Sequence, residues 1–182
     1  MALPKNWPKE IRYLNSNEWK QPPALYTSPS ATDKDILSYD ANITGPCKLV
    51  RITRITDESH PAFPAYGLYS TAVIPAKTLI LNYIGVVESE QEASQTSDYI
   101  LHFDKEFSVD AEFAGNEGRF VNDFRGIGEK PNVKFELYKN KKGQVNMGIW
   151  SIAKIPKGTE LLVTYGKGFW QQRGISFDHL YQ

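Results

Sequence analysis

The chain has 182 residues, 13% of them aromatic, and its 21 lysines and arginines balance its 21 aspartates and glutamates. This length predicts one domain with a buried core, and the balanced charge argues against a direct nucleic-acid-binding surface. The single cysteine, Cys47, excludes an intramolecular disulfide and a cysteine-cluster zinc site, and it favours a reducing, intracellular compartment.

The N-terminal quarter of the chain predicts little regular structure. Residues 1–46 contain six prolines among polar residues and show no sustained helical or strand period. We therefore predict an irregular extension that wraps the rest of the domain, with Trp7, Trp19 and Tyr26 packed on apolar surface. The first residues do not resemble a secretion signal, and no apolar run approaches the ~20 residues that span a bilayer, so we expect no membrane partner.

From Cys47 onward, eight short runs rich in β-branched and aromatic residues alternate with Gly, Pro, Asn and Asp. They cover residues 48–56, 65–73, 78–87, 99–103, 107–111, 133–138, 147–153 and 160–165. Runs of this length and spacing predict a mainly β fold of several small packed sheets. Little helix is expected, in a turn or two at Ser89–Ser94 and Phe169–Arg173. Two similar Ile-Pro turns, at Ile74 and Ile155, are too short to indicate a repeat.

Two segments carry candidate functional chemistry. Residues 108–124 are interpreted as a short strand, an Ala-Gly-Asn turn and a second apolar strand, Phe120-Val121, which ends at Asn122-Asp123. Residues 158–166 are interpreted as a β-branched strand that ends at Tyr165 beside a glycine. An Asn-Asp pair and a tyrosine at two strand ends can hold a polar ligand against a phenol.

These segments resemble the SET domain of protein lysine methyltransferases. The matching residues are Asp110-Ala111, Gly115-Asn116, Arg119-Phe120, Asn122, Pro131-Asn132, Glu160-Leu161 and Tyr165-Gly166. Upstream, Ala65-Tyr66-Gly67 resembles the cofactor loop of the family, and Asp98-Tyr99 resembles its lysine-channel segment. The resemblance implies a SET fold with a pseudoknot-like strand crossing near residues 119–123 and Tyr165. It divides the chain into an extension at 1–46, a SET domain at 47–166 and an aromatic C-terminal segment at 167–182 that closes the cofactor site.

By this resemblance, Tyr165 is the catalytic tyrosine and Tyr99 is the second tyrosine of a lysine channel. Methyl transfer requires an uncharged amine, and deprotonating lysine at neutral pH costs roughly 4–5 kcal/mol. Tyrosines suit such a channel because the ring contacts the lysine stem and the hydroxyl orients its nitrogen. The alternative for each tyrosine is a half-buried core ring with a surface hydroxyl.

The resemblance also implies S-adenosylmethionine as the cofactor. Asn122 would bind it through its side-chain amide, and Asp123 through backbone groups. Tyr66 and Gly67 would bind it through main-chain groups. Trp170, or else Phe169, would stack on the adenine. The structural alternatives are an Asx turn at Asn122-Asp123, a hairpin glycine at Gly67 and a C-terminal core plug at Trp170. Arg119 and Glu160 are expected to stabilise the strand crossing.

Three departures from the family pattern accompany these matches. Ala65 stands where the family has a glycine, Asp123 stands where it usually has histidine, and residues 124–130 form an insertion whose default interpretation is a surface loop. Val163 occupies a position where many relatives carry Phe or Tyr. The smaller side chain predicts a channel that tolerates a dimethylated product.

The expected function is an S-adenosylmethionine-dependent protein lysine N-methyltransferase that acts on a histone tail or another protein lysine. The alternatives are a catalytically inactive SET-type module that binds a lysine-bearing peptide, and a β-rich interaction domain. We expect no metal site, since the chain has one cysteine and three dispersed histidines. An intracellular location is predicted, and the family resemblance favours the nucleus over the cytoplasm.

Overall fold

The computed structural model describes residues 2–20, 36–40, 43, 45–103, 106–172 and 174. In chain order the elements are β1 (Arg12–Tyr13), β2 (Glu18–Trp19), β3 (Leu37–Ser38), β4 (Val50–Arg54), β5 (Tyr66–Ser70), β6 (Leu79–Asn82), β7 (Val86–Ser89), β8 (Ile100–His102), β9 (Phe107–Asp110), β10 (Ala114–Gly115), a 3₁₀ helix (Glu117–Phe120), β11 (Asn122–Asp123), β12 (Val133–Lys139), β13 (Val145–Ser151), β14 (Leu162–Val163) and α1 (Lys167–Gln172). Each of the eight predicted runs contains a strand, so the mainly β architecture with little helix is confirmed.

The strands form five small sheets around one main apolar core. Two sheets have four strands, in the orders β3-β12-β13-β6 and β2-β7-β9-β8, and the other three are the pairs β4-β5, β1-β10 and β11-β14. β4 illustrates how the sequence specifies these sheets, because Val50 and Ile52 are buried while Arg51 between them, on the opposite face, is exposed. The core that these inward faces share includes Leu68, and it positions the strand ends described below.

The predicted run at 78–87 is divided into β6 and β7. Gly85 lies at the division, and a Cβ atom there would sit 2.3 Å from the carbonyl oxygen of Asp110. Only glycine therefore allows β7 to start so close to the end of β9, where Val86 lies opposite Asp110. The two Ile-Pro turns also have a structural role, since Ile74 and Ile155 exchange backbone hydrogen bonds of 2.9 Å with each other.

The N-terminal residues that the structure describes pair with three of these sheets. β1 runs parallel to β10, β2 parallel to β7 and β3 parallel to β12. Trp7 is buried in the main core and packs edge-on against Tyr13 and Phe120. Trp19 is partly buried against Phe107. Tyr26, the third predicted anchor, lies outside the described residues. The division of the chain at residues 46 and 166 stays a prediction.

The parallel pair β11-β14 lies where the strand crossing was predicted. Asn122 is opposite Leu162 and Asp123 is opposite Val163. The hydrogen bond from the Phe124 amide to the Val163 carbonyl, 2.9 Å long, extends the pairing by one residue. This pairing brings the end of the Asn-Asp segment beside the strand that leads into Tyr165.

Three local predictions are wrong. The Ala-Gly-Asn segment is not a turn, because Ala114 and Gly115 form β10, which pairs with β1. Phe120-Val121 is not a strand, because Asn116 starts a 3₁₀ helix instead: its side-chain oxygen accepts a hydrogen bond of 3.1 Å from the Gly118 amide. Residues 89–94 are not helical, since β7 extends to Ser89 and a turn follows it. A hydrogen bond from the Glu92 amide to the Ser89 carbonyl closes this turn. The predicted C-terminal helix forms as α1, while residue 173 lies outside the described residues.

Candidate active site

An open cleft of about 560 Å³ lies between the N-terminal segment, β5, the 3₁₀ helix and α1. Seven of the eight predicted site residues line it, namely Tyr66, Tyr99, Asn122, Asp123, Tyr165, Phe169 and Trp170. They come from five separate parts of the sequence, and the strand pairings described above bring them together. The residue types that the resemblance assigns to cofactor binding and catalysis therefore surround one space.

Gly67 is the predicted site residue that does not line the cleft. Tyr66 and Gly67 lie in β5, as the predicted strand run at 65–73 indicates, and not in the loop that the resemblance implies. The structure gives Gly67 a different neighbour: a Cβ atom there would lie 2.4 Å from the Glu160 Oε1 atom. The absence of a side chain at Gly67 thus makes room for the carboxylate of Glu160, which packs against β5.

Asn122 is held by two hydrogen bonds from its amide nitrogen. Nδ2 donates to Oε1 of Glu160 at 2.8 Å and to the carbonyl of Tyr66 at 3.3 Å. Glu160 also accepts from the Tyr69 hydroxyl, and burial together with this carboxylate raises the pKa of Tyr69 to about 12. The prediction that Glu160 stabilises the strand crossing agrees with these contacts, since it connects β5 to β11.

Asp123 is buried, and its carboxylate is fully occupied by protein donors. Arg125 donates to it through Nη1, at 3.0 and 2.9 Å, and through its backbone amide at 2.9 Å. The Tyr165 amide donates to Oδ2 at 2.7 Å. An aspartate can replace the histidine usual at this position because Arg125 neutralises its charge and the backbone satisfies its remaining lone pairs.

Arg125 belongs to the insertion that was expected to form a surface loop. That expectation is wrong for this residue: Arg125 is 9% exposed, and both it and Ile127 line the cleft. Its guanidinium also lies 4.7 Å from the centre of the Phe124 ring and donates to the hydroxyl of Thr164 at 3.3 Å. The remainder of the insertion, residues 126 and 128–130, is exposed.

Tyr165 lies at the end of the cleft with its hydroxyl fixed. Oη donates to the Val121 carbonyl at 2.8 Å, while the ring packs on Phe169 at 4.6 Å between centroids. Burial, and then the nearby Asp123 carboxylate, raise the pKa of Tyr165 above its usual value. The phenol is therefore protonated at neutral pH, and its oxygen keeps lone pairs that can accept a hydrogen bond from an incoming amine.

A narrow channel of about 70 Å³, one eighth of the cleft volume, opens beside Tyr165. Its aromatic walls are Tyr83, Tyr99, Phe135, Tyr165 and Phe169. Tyr83 donates a hydrogen bond of 2.6 Å to the Tyr99 carbonyl, and this contact fixes the backbone beside the Tyr99 ring. The guanidinium of Arg119 lies 4.0 Å from the centre of that ring and also lines the channel.

The aromatic residues of α1, Phe169 and Trp170, form the part of the cleft wall next to Tyr165. The Trp170 ring stacks on Tyr165, with centroids 6.4 Å apart and 22° between the planes. Its indole nitrogen is buried and donates to no acceptor among the described residues. A buried indole N–H without a partner is uncommon in a core, so a ligand acceptor in the cleft would satisfy it.

Several residues of the cleft were missed by the sequence analysis. Pro8, Glu10 and Ile11 of the N-terminal segment form one wall, and Pro61 and Ala62 form another. The sequence around these residues contains no ligand-binding motif, although the prediction that residues 1–46 wrap the domain is compatible with such a position.

Within the described residues there is no group of three or more His, Cys, Asp or Glu that could hold a metal ion, and none of the helices there is long and apolar enough to cross a membrane.

A family model described as the SET domain matches residues 65–166. The chain belongs to the SET domain family. This SET domain includes the strands and the Asn122 and Tyr165 segments on which the resemblance was based, so the resemblance is confirmed at the level of the family.

This SET domain is similar to parts of much longer relatives. It is 33% identical over 111 residues to the H3 lysine-36 specific histone-lysine N-methyltransferase of Cryptococcus neoformans var. neoformans serotype D, covering 55% of this chain and 13% of that protein. It is 26% identical over 118 residues to histone-lysine N-methyltransferase EHMT1 of Mus musculus, covering 62% of this chain and 9% of that protein. It is 30% identical over 119 residues to the inactive histone-lysine N-methyltransferase 2E of the same species, covering 59% and 6%. Because one of these relatives is named inactive, sequence similarity alone does not assign turnover.

Two solved structures share the fold. A crystal structure of KRYPTONITE in complex with mCHH DNA, an H3(1-15) peptide and SAH superposes with a TM-score of 0.64 at 17% identity, covering 87% of this chain and 42% of that one. A structure of apo ctPRC2 with mutations in Ezh2 superposes with a TM-score of 0.55 at 22% identity, covering 70% and 16%. At these identities the likeness shows the fold alone.

Proposed function

We propose that this SET domain is an S-adenosylmethionine-dependent protein lysine N-methyltransferase. The observation that carries the proposal is the junction of the cleft with the channel, because Tyr99, Arg119, Tyr165 and Phe169 line both spaces. A large space for a cofactor and a narrow aromatic space for an amine thus meet beside one tyrosine hydroxyl. Binding two reactants in adjoining sites is what a transfer reaction requires.

The residues of the cleft fit this cofactor. When bound, S-adenosylmethionine supplies a methyl group on a positively charged sulfur. Asn122 offers the oxygen of its amide, Asp123 and Tyr66 offer main-chain groups, and Trp170 and Phe169 offer aromatic faces for the adenine. The indole nitrogen of Trp170, which has no acceptor among the described residues, favours a ligand with an acceptor nearby. Gly67 contributes through the space that it leaves for Glu160.

Tyr165 orients the amine and does not act as its base. The hydroxyl proton is directed to the Val121 carbonyl, and the raised pKa keeps the phenol protonated. Only the lone pairs of this oxygen are directed to the channel, where they accept an N–H of the substrate. The nitrogen lone pair is then free to face the cleft, as an in-line transfer requires.

The channel also favours the neutral amine. Deprotonating a lysine at pH 7 costs roughly 4–5 kcal/mol in water, and Tyr83, Tyr99 and Phe135 surround the amine with rings that solvate an ammonium less well than water does. Arg119 adds a fixed positive charge beside the Tyr99 ring, which disfavours a second positive charge nearby, whereas Asp98, which also lines the channel, acts in the opposite direction. Exclusion of water by the narrow walls completes this environment.

Histone H3 is the substrate to test first. Two of the relatives are named histone-lysine N-methyltransferases, one of them specific for H3 lysine-36, and the KRYPTONITE structure contains an H3 peptide. We therefore propose that the substrate of this SET domain is a histone tail or another protein lysine. A nuclear location is proposed on the same grounds. The prediction of no nucleic-acid partner stays a prediction, since that same neighbour was crystallised with DNA.

The test is methylation of recombinant H3 and of a lysine-peptide library, with mass-spectrometric mapping of the product. Tyr165→Phe is expected to reduce turnover to near zero while cofactor affinity stays within about threefold, because the ring keeps its packing and only the hydroxyl is lost. Tyr39→Phe is the control, since this partly exposed tyrosine packs on Trp150 and Tyr138 outside the cleft. Unchanged methylation by Tyr165→Phe would remove this residue from the mechanism.

The alternative is a SET-type module that binds a lysine-bearing peptide without turnover. It is favoured by the inactive relative and by the departures at Ala65 and Asp123. Peptide binding in calorimetry, without product on any substrate of the library, would establish this alternative. Absence of both cofactor binding and peptide binding would instead support an interaction domain.

A further inference from the structure

A buried group of polar side chains lies directly behind the cleft. The group, called here the Glu160 cluster, consists of His60, Tyr69, Asn122 and Glu160. The side chains of His60 and Glu160 are only 9% and 8% exposed. The Oε2 atom of Glu160 interacts with Nε2 of His60 at 3.1 Å and accepts a hydrogen bond of 2.9 Å from the Tyr69 hydroxyl. The Oε1 atom accepts a hydrogen bond of 2.8 Å from the Asn122 side chain.

The contacts of His60 determine which ring nitrogen carries the proton. The backbone amide of Ala62 donates to Nδ1 at 3.1 Å, so Nδ1 acts as the acceptor. Nε2 then carries the hydrogen and donates it to Glu160. Pro61 and Ala62 line the cleft, whereas His60 does not. The His60 side chain can therefore affect a ligand in the cleft by two routes, through Glu160 and Asn122 or through the Ala62 amide that Nδ1 holds.

Glu160 determines the orientation of the Asn122 amide. Both hydrogens on Nδ2 are used, one on Glu160 and one on the Tyr66 carbonyl. A flipped amide would place its oxygen against the carboxylate and against that carbonyl, three acceptors without a proton between them. The amide oxygen is consequently the polar atom left for a ligand in the cleft, and it accepts no hydrogen bond from the described residues.

We propose that His60 is a positioning residue for cofactor binding, which acts through Glu160 to hold the Asn122 oxygen towards a donor group of the cofactor. The inference rests on the proposed function. His60 and Tyr69 hold one oxygen of the Glu160 carboxylate, and Gly67 leaves the space that this carboxylate occupies. The other carboxylate oxygen orients the Asn122 amide. Loss of the histidine donor leaves Tyr69 as the donor to this oxygen among the described residues, so the carboxylate, and with it the Asn122 amide, is held less firmly.

The test measures affinity for S-adenosylmethionine by calorimetry, with KM and kcat determined separately. His60→Phe should weaken cofactor binding about tenfold, the effect of one hydrogen bond to a charged group, while kcat at saturation stays within about threefold. His60→Gln keeps an N–H donor and should recover most of the affinity. His102→Phe is the matched control, because His102 also contacts a glutamate, Glu90, but at an exposed position on β8.

The decisive measurement is the same change in an Asn122→Ala background. If His60 acts through Asn122, then His60→Phe should cause no further loss of affinity there, whereas a general structural defect would add to it. An additive loss, or full affinity in a folded His60→Phe variant, overturns the inference. If His60→Phe does not fold, Tyr69→Phe removes the other donor to the same oxygen, and unchanged affinity in it overturns the inference as well. Wild-type protein that binds no cofactor would instead contradict the proposed function.

Discussion

Replacing Arg125 with methionine is expected to destabilise the domain by about 3–5 kcal/mol, the usual loss when one partner of a buried ion pair is removed. Asp123 is 5% exposed, and Nη1 of Arg125 contacts both of its oxygens at 3.0 and 2.9 Å. Methionine fills similar space without the charge, so the carboxylate keeps only the backbone amides of Arg125 and Tyr165 as donors. The loss therefore reflects an uncompensated buried charge and not an empty cavity.

Urea denaturation followed by tryptophan fluorescence measures this loss directly. For a domain of this size each kcal/mol lowers Tm by about 2–4 °C, so a decrease of roughly 6–20 °C should accompany the change. Lys134→Met is the control, because its ion pair with Glu136 is exposed and should contribute at most about 1 kcal/mol. Asp123→Asn combined with Arg125→Met should recover part of the stability, since no buried charge then remains. A loss below about 1 kcal/mol in Arg125→Met would refute this account of the pair.

Three further predictions concern the reaction. The raised pKa of Tyr165 keeps its phenol protonated at every pH below the usual value of ~10. The methylation rate should therefore rise with pH up to about 9.5, because the substrate amine loses its proton over this range. A decline of the rate between about pH 8 and 9 would contradict this prediction. A dimethylated product stays a prediction from the sequence, but the structure does not support the reason given for it, because Val163 is buried in the main core and does not line the channel; strict monomethylation by the wild type in mass spectra would exclude this product. Activity should survive chelation, and a loss that zinc restores would reveal a metal site.

The strands and the contents of the cleft follow from local sequence patterns. Alternation such as that of Val50 and Ile52 is visible in any half-buried strand, and strand ends such as Asn122-Asp123 and Tyr165 keep their relative positions because β11 pairs with β14. The motif spacing therefore anticipated that these residues meet. Their roles in binding and catalysis remain proposals.

The errors arise where distant side chains decide the local conformation. Asn116 starts a 3₁₀ helix in a segment whose composition suits a strand, and its amide also contacts the backbone of Asn82 and Ile84 from another sheet. The partners of Asp123 and Glu160 were equally invisible in sequence. Arg125 lies in an insertion with loop composition, and His60 precedes a proline in a segment without periodicity, so neither residue carries a signal of burial.

The parallel pairings of the N-terminal segment bear on how the domain folds. β1 and β10 lie about a hundred residues apart in sequence, and β2 and β7 about seventy, so both pairs close long loops before they gain any contact. Such topology folds slowly. One wall of the cleft comes from Pro8 and Glu10, and another from Trp170, near the two ends of the chain. In the proposed function, a bound cofactor would contact both the N-terminal segment and α1, so binding would stabilise the state in which both are docked.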